Sequence, residues 1–199
     1  MTSKHPVRLT ERFQEAFILA SMLHAQQKRK GTDIPYLSHL LGVTALVLED
    51  GGDEDQAIAA LLHDAVEDQG GLKTLEDIRQ KFGHHVAEIV DGCSDSYTQP
   101  KPPWKQRKAA YLARLRQASP DIVRVSLADK LHNARSIHSD LQRQGKSTWR
   151  RFNGGREGTL WYYRSLVEIY EECSASPNVA ELRRVVQAIE AFGGENQKK

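Results

Sequence analysis

The chain has 199 residues, of which 39% are hydrophobic and 27% charged, the balance of a single globular domain able to bury about 70% of its unfolded surface without staples. A formal net charge of +2 is too mild to make nucleic acid or an anionic membrane the expected partner, and no apolar run approaches membrane length. No signal-peptide pattern opens the sequence, and Cys93 and Cys173 share no CxxC or His-linked spacing, so both read as reduced packing residues of a cytoplasmic protein.

Residues 1–10 read as a loose polar lead-in. From Glu11 to Gln27 the apolar positions Phe13, Ala16, Phe17, Ala20 and Leu23 recur at three- and four-residue steps and predict an amphipathic helix. Lys28-Arg29-Lys30-Gly31 then reads locally as a helix C-terminus whose cations complement the dipole. Pro35-Tyr36 opens a second helix, with Leu37, Leu40, Leu41, Thr44, Val47 and Leu48 as its core stripe and Gly51-Gly52 as its stop. His39 lies beside that stripe, where a lone histidine is more often a satisfied core residue than a ligand.

Asp53 and Gln56 can cap the next helix. Every residue from 57 to 62 is apolar, so this helix is buried all round. His63, Asp64, Glu67 and Asp68 follow within six residues. On a continuous helix they would project within an arc of roughly 140°. Unpaired, such groups would each cost several kcal/mol to bury, and a divalent cation is the simplest counter-charge. The plainer alternative is a solvated helix end.

Gln69-Gly70-Gly71 breaks the pattern, and Thr74 with Asp77 resembles a capping box for a helix over 75–82. A further helix runs through Val86, Ile89 and Val90. Residues 94–104 hold three prolines and no period, hence a loop. Lys105, Arg107 and Lys108 then form a basic run that is either a solvated face or a phosphate site. Ser119-Pro120 is a strong helix start for a segment that carries Asp129 and, one turn on, Asn133. Residues 149–158 read as a glycine-containing connection, 160–170 and 179–192 as closing helices with Trp161, Tyr162 and Tyr163 as core packing, and 193–199 as a frayed tail. No alternating strand or repeat is present, which leaves an all-α helical bundle of one domain spanning 1–199, its core at about 11–192.

His39, the pair His63-Asp64 and the distant Asp129 offer two imidazoles and two carboxylates from three helices. That donor set suits manganese, iron or zinc better than calcium, which prefers oxygen alone. Four protein ligands would leave open positions on an octahedral ion for water and a phosphate oxygen, as a hydrolase requires.

These residues resemble the HD superfamily of metal-dependent phosphohydrolases. Gln27-Lys28-Arg29-Lys30 with Pro35-Tyr36-Leu37-Ser38-His39, then Leu62-His63-Asp64-Ala65-Val66-Glu67-Asp68, then Leu127-Ala128-Asp129-Lys130-Leu131-His132-Asn133 are similar to the hydrolase domain of RelA/SpoT homologues. The chain looks like a stand-alone small alarmone hydrolase. The resemblance implies an HD-domain helical bundle and Mn2+ held by His39, His63, Asp64 and Asp129. It implies Glu67 and Asp68 as the catalytic pair that positions and deprotonates water. Arg29 stacking on a purine, Lys30 by charge, and Asn133 are the implied substrate contacts; on charge alone, Lys105, Arg107, Lys108 and Arg156 are the cations available to receive a second diphosphate. The implied reaction releases pyrophosphate from the 3′ position of guanosine 3′,5′-bis(diphosphate) or its pentaphosphate relative, giving GDP or GTP. The implied partner is therefore a small nucleotide, with neither nucleic acid nor membrane. Gln69 stands where the family usually has Thr, and the turn before Pro35 is slightly longer, changes that bear on the base and ribose rather than the metal. The rival expectations are an HD hydrolase of another nucleotide, such as a nucleoside monophosphate or an NADPH-like dinucleotide, and a non-catalytic nucleotide-binding module. His24, His84, His85, His132 and His138 read as surface or packing residues.

Overall fold

A computed structural model describes residues 6–97 and 100–192. Among them there are helices, one 3₁₀ turn and a lone antiparallel bridge between Lys28 and Pro35, with no strand. The expected tail at 193–199 lies outside the described residues, as does the first half of the lead-in.

Helix α1 (Glu11–Leu23) starts where Thr10 Oγ1 accepts the Arg12 N–H. It ends at Leu23 rather than Gln27, so the Lys28–Lys30 cations do not complement its dipole. The chain instead turns back on itself. Arg29 N–H donates to the Ile34 carbonyl at 2.8 Å and Tyr36 N–H to the Gln27 carbonyl at 2.9 Å, closing a tight loop that leads into α2 (Leu37–Glu49). Phe17 and Leu41, expected in core stripes, are exposed instead.

Helix α3 (Glu54–Leu62) carries the expected reciprocal cap: Asp53 Oδ1 accepts the Gln56 N–H at 2.9 Å, and Gln56 Oε1 accepts the Asp53 N–H at 3.2 Å. The helix does not continue through Asp68. His63 Nδ1 turns back onto the Ala60 carbonyl at 2.8 Å, and Asp64 relaxes to φ −97° and ψ −5°. A new four-residue helix, α4 (Ala65–Asp68), then begins. The single arc predicted for four ionisable groups is therefore split into two directions.

Gly71, at φ 64°, adopts the left-handed backbone that starts α5 (Leu72–Phe82) earlier than expected. Thr74 does not cap it, because its hydroxyl donates to the Gln69 carbonyl at 3.0 Å. Then come α6 (His84–Cys93), α7 (Trp104–Leu115) and α8 (Pro120–Gln144), with Ser119 Oγ accepting the Ile122 N–H at the start of α8. The expected connection at 149–158 is replaced by a 3₁₀ turn (Gly145–Arg151) and the first turn of α9 (Gly155–Cys173), and α10 (Pro177–Ala191) follows. Cys93 is buried as expected, whereas Cys173 is exposed.

The core is organised around α3, whose residues from Gln56 to Leu62 are all buried. It packs on α1, α2, α6 and α8, and α10 closes over α8. Truncating Leu61 or Leu62 to alanine here would cost about 2–5 kcal/mol. This packing brings the end of α3, the first turn of α2 and the middle of α8 to one point.

Candidate active site

At that point His39 from α2, His63 and Asp64 from the α3–α4 junction, and Asp129 from α8 converge. His39 Nε2 lies 3.2 Å from Asp129 Oδ1 and 3.5 Å from Asp64 Oδ2. His63 Nε2 lies 3.0 Å from Asp64 Oδ2 and 3.6 Å from Asp129 Oδ1. Ligand atoms of His39, His63 and Asp129 all fall within 4.8 Å of one another.

Both imidazole Nε2 atoms are buried and make no hydrogen bond among the described residues. Their other nitrogens explain this. His63 Nδ1–H donates to the Ala60 carbonyl, which leaves the Nε2 lone pair facing the cluster. His39 Nδ1 meets His132 Nδ1 at 2.9 Å. Burial and the neighbouring His39 and Arg29 push the His132 pKa down to about 4, so His132 is neutral and can accept the His39 proton. Two orphaned nitrogen lone pairs and two carboxylate oxygens are the donor set of a first-row divalent cation, and adjacent ligands at bonds of about 2.1 Å sit about 3 Å apart, as here. The residues fit the ion.

The acids are tuned by their surroundings. Burial works to raise Asp64 and Asp129, but the two histidines, and Lys130 beside Asp129, hold both carboxyls well below the usual range. Tyr36 Oη donates to Asp64 Oδ2 at 2.5 Å, and Asn133 Nδ2 to Asp129 Oδ1 at 2.5 Å. Lys130 pairs with the other Asp129 oxygen.

Glu67 and Asp68 are not part of the His39–His63–Asp129 cluster. They stand on α4 beside the cluster and line a pocket of about 200 Å³ together with Asp64 and Asp129. Burial and Asp95 raise the Glu67 pKa against the pull of Lys101, whose Nζ is 2.7 Å away. Burial and Asp64 raise that of Asp68. Two carboxyls moved toward neutrality beside a metal cluster can exchange protons with bound water.

This pocket adjoins a larger cavity of about 520 Å³. Arg29, Lys30, Lys108 and Asn133 all line it. Arg29 donates to Asn133 Oδ1 at 2.6 Å and lies 5.6 Å over the Tyr36 ring. Lys108 pairs with Asp95 at 2.7 Å and lies 5.0 Å over Tyr162. Arg156 is not brought in: on the first turn of α9 it is captured by Glu157 at 2.6 Å and by the Glu190 carbonyl at 3.2 Å. Arg151 reaches the cavity wall instead, held by buried Asp140. In the basic run, Arg107 is bound to Asp95 and Lys105 lies over Trp161.

Several functional neighbours escaped the sequence reading. Asp95 and Lys101 sit in the proline-containing loop, whose lack of period hid them. Tyr162 and Tyr163 are core residues that also line the cavity. His132 had a signal: three residues past Asp129 on one helix, it shares that face.

An HD domain family profile matches residues 16–160. A Xenopus tropicalis guanosine-3′,5′-bis(diphosphate) 3′-pyrophosphohydrolase MESH1 is 39% identical over 138 residues, covering 68% of this chain and 72% of that protein. Its Homo sapiens counterpart is 36% identical over 127 residues, covering 62% and 68%. A solved structure described as a metazoan ortholog of SpoT that hydrolyses ppGpp superposes with a TM-score of 0.75 at 26% identity, covering 91% of this chain and 97% of that one. The profile match covers well over half of the chain and spans the elements that carry His39, His63, Asp64 and Asp129, which places the chain in the HD domain family.

Proposed function

We propose that the protein is a manganese-dependent 3′-pyrophosphohydrolase of guanosine 3′,5′-bis(diphosphate) or the corresponding pentaphosphate, releasing pyrophosphate and GDP or GTP. The observation that carries this reading is the junction of the His39, His63 and Asp129 cluster, with Asp64 against both histidines, and a cavity lined by Arg29, Lys30 and Lys108. A substrate with a purine and two diphosphates needs a metal at one phosphate group, cations along its path and a planar group for the base. The relatives named above act on this compound.

His39, His63, Asp64 and Asp129 hold the ion, which when bound lowers the pKa of water and neutralises phosphate charge. The chain's own groups do the rest. Glu67 takes the proton of the attacking water with Asp68 orienting it, a new bond forms from that oxygen to the 3′ phosphorus, and the bond from phosphorus to O3′ breaks. The proton returns to O3′, so pyrophosphate leaves and a 3′ hydroxyl remains. Lys101 holds Glu67 beside the cluster, and Lys108 receives charge on the departing diphosphate. Arg29, fixed by Asn133 and Tyr36, offers its outer face to the base. Lys30 meets the second diphosphate.

The test is a substrate panel with Mn2+: guanosine tetraphosphate and pentaphosphate beside a nucleoside monophosphate and a nicotinamide dinucleotide phosphate. The reading predicts GDP or GTP with stoichiometric pyrophosphate. Turnover confined to the other two compounds, or orthophosphate as the sole inorganic product, overturns it.

A further inference from the structure

His24 is 2% exposed, and its Nε2 is buried without a hydrogen-bond partner among the described residues. An orphaned N–H would cost more here than an orphaned lone pair, so the imidazole proton sits on Nδ1. That nitrogen donates to Gln27 Oε1 at 2.6 Å. Gln69 Nε2 donates to the same oxygen at 2.7 Å. Two donors on one atom fix which end of the Gln27 amide is oxygen. Its NH2 end is thereby aimed at Asp68 Oδ2, 2.7 Å away. The reversed amide would set N–H against two donors and a carbonyl against a carboxylate.

Each member is itself anchored. His24 stacks on Tyr36 at 5.2 Å. The Gln27 carbonyl accepts the Tyr36 N–H at 2.9 Å, and the Gln69 N–H donates to the Ala65 carbonyl at 2.9 Å. The three side chains thus tie the turn after α1 to the end of α4. Asp68 terminates a four-residue helix and opens onto the cavity, where an untethered carboxylate would sample several rotamers.

We propose that His24, Gln27 and Gln69 are positioning residues for Asp68: the histidine and Gln69 clamp the Gln27 amide, and Gln27 alone touches the carboxylate. The proposal rests on the role given to Asp68 under the proposed function. Gln27 also lines the cavity, whereas His24 and Gln69 are not among its lining residues and act in series through the Gln27 amide.

Serial action is what the test reads. With guanosine tetraphosphate and Mn2+, Gln27→Leu lowers kcat about tenfold and leaves KM within about twofold, because ground-state binding is intact. Gln69→Leu alone costs about threefold, and the double variant is no slower than Gln27→Leu, since Gln69 has nothing left to orient. Gln27→Glu keeps the size and the acceptor for His24 and Gln69 but removes the donor, so its kcat falls as far, which covers the case in which leucine disturbs folding. Losses that multiply in the double variant, or that appear in KM, overturn the proposal. A wild type that releases no pyrophosphate overturns the function reading instead, and crystal structures then decide the positioning: one Asp68 rotamer in the wild type and several in Gln27→Glu support it, whereas one unchanged rotamer in both refutes it.

Discussion

Gly42 lies in α2, one turn beyond His39, and a Cβ there would fall 2.3 Å from His132 Nε2 and 2.4 Å from its Cδ2. The backbone of α2 is wedged between α3 and α8, so in Gly42→Ala the half-buried His132 ring is what yields. Alanine in a helix interior gains about 1 kcal/mol over glycine. The steric conflict costs about 1–3 kcal/mol. The fold therefore loses only about 0–2 kcal/mol. The metal site loses more, because a displaced ring no longer accepts from His39 Nδ1, and loss of such an outer partner weakens metal binding about 10- to 100-fold. Urea melts of the metal-free protein and competitive Mn2+ titration against a chelator separate the two effects. The double variant with His132→Ala should bind Mn2+ as His132→Ala alone does, since both act through one bond. Wild-type affinity in Gly42→Ala would refute the coupling of His132 to the metal site.

Tyr36→Phe removes the hydroxyl that aligns Asp64 but keeps the ring on His24, so Mn2+ affinity should fall about tenfold with stability changed by under about 1.5 kcal/mol; equal affinity by the same titration would show that the hydroxyl is idle. His85 bridges Asp55 at 3.1 Å and Asp121 at 3.0 Å, tying α6 to α3 and α8, and these hydrogen bonds raise its pKa. A raised histidine stabilises the fold fully below its unfolded value of about 6.5 and loses that contribution as pH rises through the folded value. Being about half exposed, the bridge is worth under about 1 kcal/mol, so urea melts of His85→Ala and wild type should differ near pH 5.5 and converge near pH 9. A gap that widens with pH would contradict the sign.

The helices that carry the site were legible because each announces itself locally: Asp53 and Gln56 cap α3, and Ser119-Pro120 starts α8. The clustering of His39, His63, Asp64 and Asp129 was anticipated from the polar groups taken together and from the family resemblance, since His39 alone read as a core histidine. Ionisable groups set into buried segments violate the hydrophobic pattern, and His63, Asp64 and Asp129 do so. What the sequence did not disclose is where the chain turns. Nothing local to 57–68 reveals that the His63 ring takes the Ala60 carbonyl and ends α3, and nothing near Lys28 reveals the bridge to Pro35. Partners contributed by distant segments were equally hidden: Asp95, Lys101 and Arg151 gain meaning only from the side chains they meet. Arg156 shows the reverse case, a cation well placed along the chain that α10 captures in space.

Under the proposed function, the metal cluster and the Glu67–Asp68 pair together hydrolyse a nucleotide 3′-diphosphate. The most direct measurement is pyrophosphate release from guanosine 3′,5′-bis(diphosphate) by the wild type, Asp64→Ala and Glu67→Gln, with bound manganese quantified in each. The account predicts metal and turnover in the wild type, neither in Asp64→Ala, and metal without turnover in Glu67→Gln. Turnover that survives in Glu67→Gln, or in Asp64→Ala lacking metal, would contradict it.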